Sequence, residues 1–183
     1  RIGLGVSNGH GAPSGYLSAL LKRRGLDGTR RTALVSGAIP IGPPKRTVAD
    51  NVLLVGDAAA QVKPLSGGGI LLGMRSAKVA AAVAEASVAN GDLSARSLSA
   101  YEEGWRADVG KEVERGMLIR KIFVGMTDKK LDEIGRMMDR EDVRSILATG
   151  DIDYPSRLAA PMIKALPSLL KFSPFAIGRL LRG

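Results

Sequence analysis

Apolar positions fall into short blocks over the first third of this 183-residue chain and into long helical stripes after it. Ile2 to Val6 reads as a short strand broken by Gly3 and Gly5, and Thr32 to Ser36 as a second candidate. Asn51 to Gly56 is a third, apolar through its interior and so expected to be buried on both faces. Between the first two, Ser7 to Pro13 is a polar loop, and Ser14 is placed to cap a helix from Gly15 to Arg24 that Gly25 ends. Gly37 to Lys45, with Pro40, Pro43 and Pro44, predicts extended loop.

From Gly69 onward the spacing becomes that of helix. Ala77, Ala80, Ala81, Ala84 and Val88 make one stripe of small side chains, suited to close approach to a sheet, and Asn90-Gly91 stops it. The next helix, from about Ser94 to Phe123, sets Leu98, Tyr101, Trp105, Val109, Val113 and Met117 three or four apart as a continuous seam. Thr127 or Asp128 caps a helix bearing Leu131, Ile134 and Met138. Asp139 caps another, bearing Val143, Ile146 and Leu147, that ends near Gly150. Pro155-Ser156 and Ser173-Pro174 mark the starts of two short tail helices. The expected class is α/β to α+β: a small β-rich first third within a region 1–91, then a mostly helical region 92–183.

Charge and composition narrow the chemistry. A net charge of +9 favours anionic partners, among them nucleic acid, lipid head groups and phosphorylated small molecules. Without cysteine there is no disulfide or thiolate metal site, and the single His10 builds no histidine metal site, so no metal is expected and redox chemistry must come from a cofactor. Val79 to Ala89 is too short and too alanine-rich to span a bilayer, and no secretory pattern opens the chain, which predicts a cytoplasmic setting. From Tyr154 on, Arg157, Lys164, Lys171, Arg179 and Arg182 alternate with apolar residues and no acid. This basic amphipathic stretch, residues 155–183, fits either packing on the rest of the protein or peripheral contact at the inner face of a membrane. Stacking aromatics or a reading helix for nucleic acid are not found, so nucleic acid is not an expected partner.

The chemistry concentrates in GDAAAQVKPLSGGGI, residues 56 to 70, between Val52-Leu53-Leu54-Val55 and the alanine-rich helix. Asp57 at a strand's carboxyl end lies where open α/β sheets bind ligands, and an ionised carboxylate accepts hydrogen bonds from sugar-like hydroxyls while repelling phosphate. Gly56 and Ala58 keep its surroundings narrow. Gly67, Gly68 and Gly69 offer backbone N–H groups at a helix start, a positive site without a cationic side chain. Pro64 fixes the loop between them. A Gly-rich strand-to-helix loop often has no ligand; it is the ordered combination that is specific.

That combination resembles the second FAD-contacting motif of flavoproteins with a p-hydroxybenzoate-hydroxylase-like architecture, and within them the geranylgeranyl reductase family, whose pattern is G-D-A-A-G-x-x-x-P-x-x-G-G-G-I. The likeness extends to Ile2-Gly3-Leu4-Gly5-Val6, Gly37-Ala38-Ile39-Pro40, Leu98-Ser99-Ala100-Tyr101-Glu102 with Trp105, and the helical tail. It implies an FAD-dependent reductase that saturates C=C bonds of prenyl chains, with a prenylated lipid as substrate, either an archaeal digeranylgeranyl glycerophospholipid or a chlorophyll-type side chain, and NAD(P)H or ferredoxin as electron donor. It implies that Gly56, Asp57 and Ala58 meet the ribityl chain or nearby pyrophosphate. Pro64, Gly67, Gly68, Gly69 and Ile70 would present backbone to the flavin's pyrimidine edge. Residues 1–91 would then be the remainder of the FAD-binding and substrate-sheet region.

Three departures qualify the likeness. Ala60 replaces the family's usual glycine, which demands a negative φ or strain of about 1 kcal/mol. Lys63 adds a cation beside Pro64, expected to be a solvated loop tip. The amino-terminal G-x-G-x-x-G βαβ unit and an aromatic Y-x-W-x-F-P stretch are absent from these residues, so the chain is expected to be the carboxyl-terminal part of a protein about twice as long, binding FAD weakly or not at all by itself. Other readings in view are another FAD-dependent oxidoreductase or monooxygenase of the same superfamily and a non-enzymatic basic module for lipid or nucleic acid. His10, the scattered methionines and the cluster Lys22-Arg23-Arg24 with Arg30-Arg31 read as loop, packing and solvated surface.

Overall fold

The computed structural model describes residues 2–7 and 9–172, which divide into two compact units, Arg1–Ala38 and Ile39–Gly183. In the first, helix α1 (Pro13–Arg23) opens on Pro13 after Ala12, not on Ser14. Gly25, at φ 64, closes it: the Gly25 and Leu26 N–H groups donate back to the Lys22 and Leu21 carbonyls, a double bond pattern that satisfies orphaned helix-end acceptors. The strands expected at Ile2–Val6 and Thr32–Ser36 do not form, and Leu34 and Val35 stand exposed. An extended segment becomes a strand only when a neighbour takes its N–H and C=O groups, and none among the described residues is hydrogen-bonded to either segment.

The second unit is helical around one small sheet. β1 (Val48–Ala49) and β2 (Val52–Leu53) pair antiparallel, Val48 opposite Leu53, across a tight turn with Asn51 at φ 63. The β-rich first third is therefore reduced to this hairpin among the described residues. Val52 is 45% exposed, so the third predicted strand is not buried on both faces. After a 3₁₀ turn (Gly56–Ala59) come α2 (Ile70–Ala89), α3 (Ala95–Trp105), a π-turn (Arg106–Gly110) and α4 (Lys111–Val124). Then follow α5 (Asp128–Met138), α6 (Glu141–Ala148), a 3₁₀ turn (Pro155–Leu158), α7 (Ala159–Ala165) and a final 3₁₀ segment (Pro167–Phe172). The position between 91 and 92, expected to separate two regions, lies in the turn joining α2 to α3. Arg140, not Asp139, precedes α6 as its cap. The helix expected after Ser173-Pro174 lies outside the described residues.

The long seam holds. Leu98, Tyr101, Trp105, Val109 and Val113 are all buried, and Ser94 caps the helix by accepting the Ser97 N–H at 3.3 Å. At about 100° per residue, steps of four advance by about 40° each, so Tyr101 to Val113 would spread over about 120° of a straight α-helix. The π-turn inserts one residue and takes back about that rotation, keeping the seam on one face.

Against it packs α2, but through Leu72, Ser76, Ala80 and Ser87, with Val79 and Val83 half-buried. The predicted alanine stripe is rotated by about one residue: Ala77 and Ala81 face solvent. The contact is close because Gly104 has no side chain; a Cβ there would lie 2.6 Å from Val79 Cγ1. Val143, Met162 and Leu166 form a second cluster with Met137, Met138, Ile146, Leu158 and Leu169.

A polar brace ties the hairpin to α3. Trp105 Nε1 donates to Thr47 Oγ1 at 2.9 Å, and the Thr47 N–H donates to Glu102 Oε2 at 2.9 Å. Burial alone would raise the Glu102 pKa, but the Thr47 N–H and the Arg106 guanidinium outweigh it and hold the carboxyl below its ordinary value. A carboxyl lower in the folded than in the unfolded chain adds stability that is complete above the unfolded pKa and lost as pH falls through the folded one. Urea unfolding between about pH 6 and pH 3 is therefore expected to show a shallower acid loss in Glu102→Gln than in the parent; equal slopes would remove Glu102 from the acid limb.

Candidate cofactor site at the start of α2

The 56–70 segment is folded around a buried amide. Gln61, fully buried, closes the turn on itself: the Gly56 N–H donates to Gln61 Oε1 at 2.7 Å, and the Gln61 N–H donates to the Gly56 carbonyl at 3.0 Å. Gln61 Nε2 donates to Tyr101 Oη at 2.8 Å, and that hydroxyl donates on to the Leu54 carbonyl at 2.6 Å. Burial pushes the Tyr101 phenol above its ordinary pKa, so it stays protonated and able to donate. Sequence reading assigned Tyr101 only to packing and missed Gln61. A tyrosine on a buried seam needs a partner for its hydroxyl, and that was the available signal.

Within this turn Gly56 adopts φ 66 and Ala60 φ 51, ψ 34, so of the two options for the glycine replacement the chain takes the strained one. The left-handed residue turns the chain back under the 3₁₀ segment, and Ala59, Ala60, Gln61 and Val62 are all buried beneath it. Asp57 and Ala58 are left exposed on top. Removing the Tyr101 hydroxyl would strand the buried Gln61 amide and the half-buried Leu54 carbonyl at once. Tyr101→Phe is expected to cost about 1–3 kcal/mol in urea unfolding, and a loss below about 0.5 kcal/mol would deny the relay its role.

The loop brings the acid to the glycines. A Cβ on Gly69 would lie 3.1 Å from Asp57 Oδ1, 2.7 Å from Val62 Cγ1 and 3.4 Å from the Gln61 carbonyl, so the carboxylate sits directly beside the first turn of α2. Pro64 is buried, its ring against Gly116, where a Cβ would lie 2.6 Å from Cδ. The three glycines are not equivalent. The Gly67 N–H is already used, donating to the Lys63 carbonyl at 2.8 Å, and that of Gly68 reaches Ser66 Oγ at 3.4 Å. The N–H groups of Gly69, Ile70, Leu71 and Leu72 have no acceptor among the described residues; the first helical bond runs from the Gly73 N–H to the Gly69 carbonyl. Nor does the Asp57 carboxylate accept a hydrogen bond among them. Ile70 is 84% exposed and Met74 67%, giving the open rim an apolar edge.

One expectation changes here. Lys63 is not a solvated tip: its side chain is 12% exposed, and its ammonium donates to Asp153 Oδ1 and the Ile152 carbonyl, both at 2.9 Å. In the described part of the tail, Met162 and Leu166 are buried in the second cluster, with Leu158 and Leu169 packed against it. Of the two readings of residues 155–183, packing on the rest of the protein is the one these described residues take part in. No described helix is long and apolar enough to cross a membrane.

These groups form a turn-to-helix cradle in which, among the described residues, an uncommitted acceptor and uncommitted amide donors lie side by side; Asp57 sits in the 3₁₀ turn and not at a strand's end. No protein-family model matches the chain. Curated proteins do. A digeranylgeranylglycerophospholipid reductase 2 of Methanothermobacter thermautotrophicus is 40% identical over 166 residues, covering 86% of this chain and 42% of that protein. A digeranylgeranylglycerophospholipid reductase of Methanothrix thermoacetophila is 35% identical over 174 residues, 93% of this chain and 44% of its own length. A second Methanothermobacter protein of that name, numbered 1, is 33% identical over 184 residues, 98% and 43%. The chain belongs to the geranylgeranyl reductase family, and it spans less than half the length of these relatives.

Proposed function

We propose that this chain supplies the flavin-contacting loop and helical region of an FAD-dependent geranylgeranyl reductase that saturates C=C bonds in the prenyl chains of a glycerophospholipid. The observation that carries it is the contact between Asp57 and the first turn of α2, with the carboxylate and the amide donors of Gly69 to Leu72 both uncommitted among the described residues. The fit to FAD is chemical. A carboxylate accepts the hydroxyls of a ribityl chain, while amide donors reinforced by the helix dipole favour the electron-rich N1 and C2-carbonyl edge of the ring. Gly56, Asp57 and Ala58 would hold the ribityl side; Pro64, Gly67, Gly68, Gly69 and Ile70 would line the ring edge.

Bound and reduced, flavin would supply the hydride that one alkene carbon accepts, while the other takes a proton from water. The chain's own contribution is binding and orientation. The Gln61–Tyr101 relay anchors the backbone at Gly56, next to Asp57, so the turn that carries the carboxylate would lose little backbone freedom when hydroxyls replace its water. Ile70 and Met74 give the rim an apolar surface that keeps water from the ring edge and is compatible with an isoprenoid chain. The electron donor would be NAD(P)H or ferredoxin, and the setting cytoplasmic. Substrate would be reached by peripheral contact at the membrane, to which the five cations of residues 155–183 would contribute.

Mass spectrometry of a geranylgeranylated glycerophospholipid incubated with the full-length, flavin-loaded protein and a reductant tests the reading. Gains in steps of about 2 Da are expected. Unchanged lipid, or a product carrying added oxygen, would overturn it.

A further inference from the structure

Lys63 holds a central place in the loop. Its N–H donates to the Gly68 carbonyl at 2.9 Å and its carbonyl accepts the Gly67 N–H, so the backbone from Lys63 to Gly68 is a closed ring. Its stem runs along that ring, with Cε 3.0 Å from where a Gly68 Cβ would lie, before the ammonium reaches Asp153 and the Ile152 carbonyl. The acceptors are themselves held. Three residues after Asp153, the Ser156 N–H donates to Glu112 Oε1 at 3.0 Å and its hydroxyl to Glu112 Oε2; both residues are buried. One turn further along α4, Gly116 receives the Pro64 ring and Arg120 donates to the Pro64 carbonyl at 3.1 Å.

Helix α4 therefore grips the loop twice, directly at Pro64 and indirectly through Ser156, Asp153 and Lys63. An exposed ion pair between two mobile side chains contributes little. Here the lysine is mostly buried and its acceptor segment is fixed by a buried carboxylate. Because Asp153 compensates the ammonium, the site's attraction for electron-rich groups comes from the amides and not from Lys63.

We propose that Lys63 and Asp153 are positioning residues: their ion pair lets the segment after α6 fix the loop Lys63–Gly69, and so sets how the amide donors at the start of α2 are presented to the bound group. That the group is FAD rests on the function proposed above; the tether itself does not.

The test uses the full-length protein with Lys63→Met, Asp153→Asn and both together. Hydrogen exchange of the Lys63 and Gly67 amides, the hydrogen-bonded ones in the loop, reads its order, and flavin fluorescence quenching reads FAD affinity. Each single change is expected to speed exchange about tenfold and weaken FAD about fivefold, with the double variant no worse than either single because both remove one shared interaction. Lys63→Arg, which keeps a donor for both acceptors, is expected to restore affinity to within about twofold. Unchanged exchange at the Lys63 and Gly67 amides, or losses that add in the double variant, would overturn the proposal. Should Lys63→Met fail to fold, Asp153→Asn decides alone, its side chain being 37% exposed. If the parent binds no FAD, the flavin reading fails while the exchange result still judges the tether.

Discussion

Gly69→Ala is expected to weaken FAD binding by about a hundredfold and to destabilise the protein by about 1–3 kcal/mol. The backbone there has φ −129, which alanine adopts without strain, so the whole effect comes from space. A methyl group would lie 2.7 Å from Val62 Cγ1, on a fully buried side chain, and 3.1 Å from the Asp57 carboxylate. Val62 cannot retreat into a packed interior, so the first turn of α2 must move away from the 3₁₀ turn and carry its amide donors with it. Gly135 gives the contrast: nothing lies within 4 Å of a Cβ there, and Gly135→Ala in α5 is expected to gain up to about 1 kcal/mol from helix propensity. FAD titration and urea unfolding of the two variants check both halves. A Gly69→Ala protein with parental affinity would mean that the turn and the helix start do not form one site.

The largest effect on stability is expected at Trp105. The ring is fully buried between α2 and the long seam, in contact with the cluster of Leu72, Tyr101, Val109 and Val113, and its N–H satisfies Thr47 at 2.9 Å. Trp105→Ala loses the burial of the largest side chain in the core, leaves a cavity and strands a buried hydroxyl, at a cost of about 3–5 kcal/mol. Against a typical total of about 5–15 kcal/mol, that leaves a protein near its folding threshold. Thr47 leads into β1, and Tyr101 lies one turn from Trp105, so the same change should loosen the Gln61 relay. Urea unfolding followed by circular dichroism reads the loss; a cost below about 1 kcal/mol would show that this ring does not organise the core.

Local pattern announced the helices because their signals are local. Ser94, Asn90-Gly91 and the seam from Leu98 to Val113 each act within a turn or two, and the run of fours even encoded the π-turn, a departure from ideal period visible in the residues themselves. The phase of α2 was less legible. Alanine is nearly neutral about where it sits, and the positions that pack are marked by Ser76 and Ser87, which pattern reading counts as polar. The strands at Ile2–Val6 and Thr32–Ser36 failed for a different reason: strand formation depends on a partner, which no segment can specify about itself.

The candidate site was legible as an ordered set, Asp57 with Gly67 to Gly69, and the structure places Asp57 beside Gly69. What holds it was not. Gln61 meets Tyr101 across 40 positions and Lys63 meets Asp153 across 90, and in both cases the local sequence offers only a polar residue in a loop. Reading Lys63 as solvated was the default for a lysine flanked by turn formers, and the frame built by Glu112 and Ser156 is what overrides it.

FAD titration of the full-length protein and its Asp57→Ala variant tests the central claim most directly. The account predicts a saturable change in flavin fluorescence for the parent and affinity lower by about tenfold or more in the variant, whose stability should be close to parental because the Asp57 side chain is exposed. A parent that leaves flavin fluorescence untouched, or a variant that binds FAD as tightly as the parent does, would contradict it.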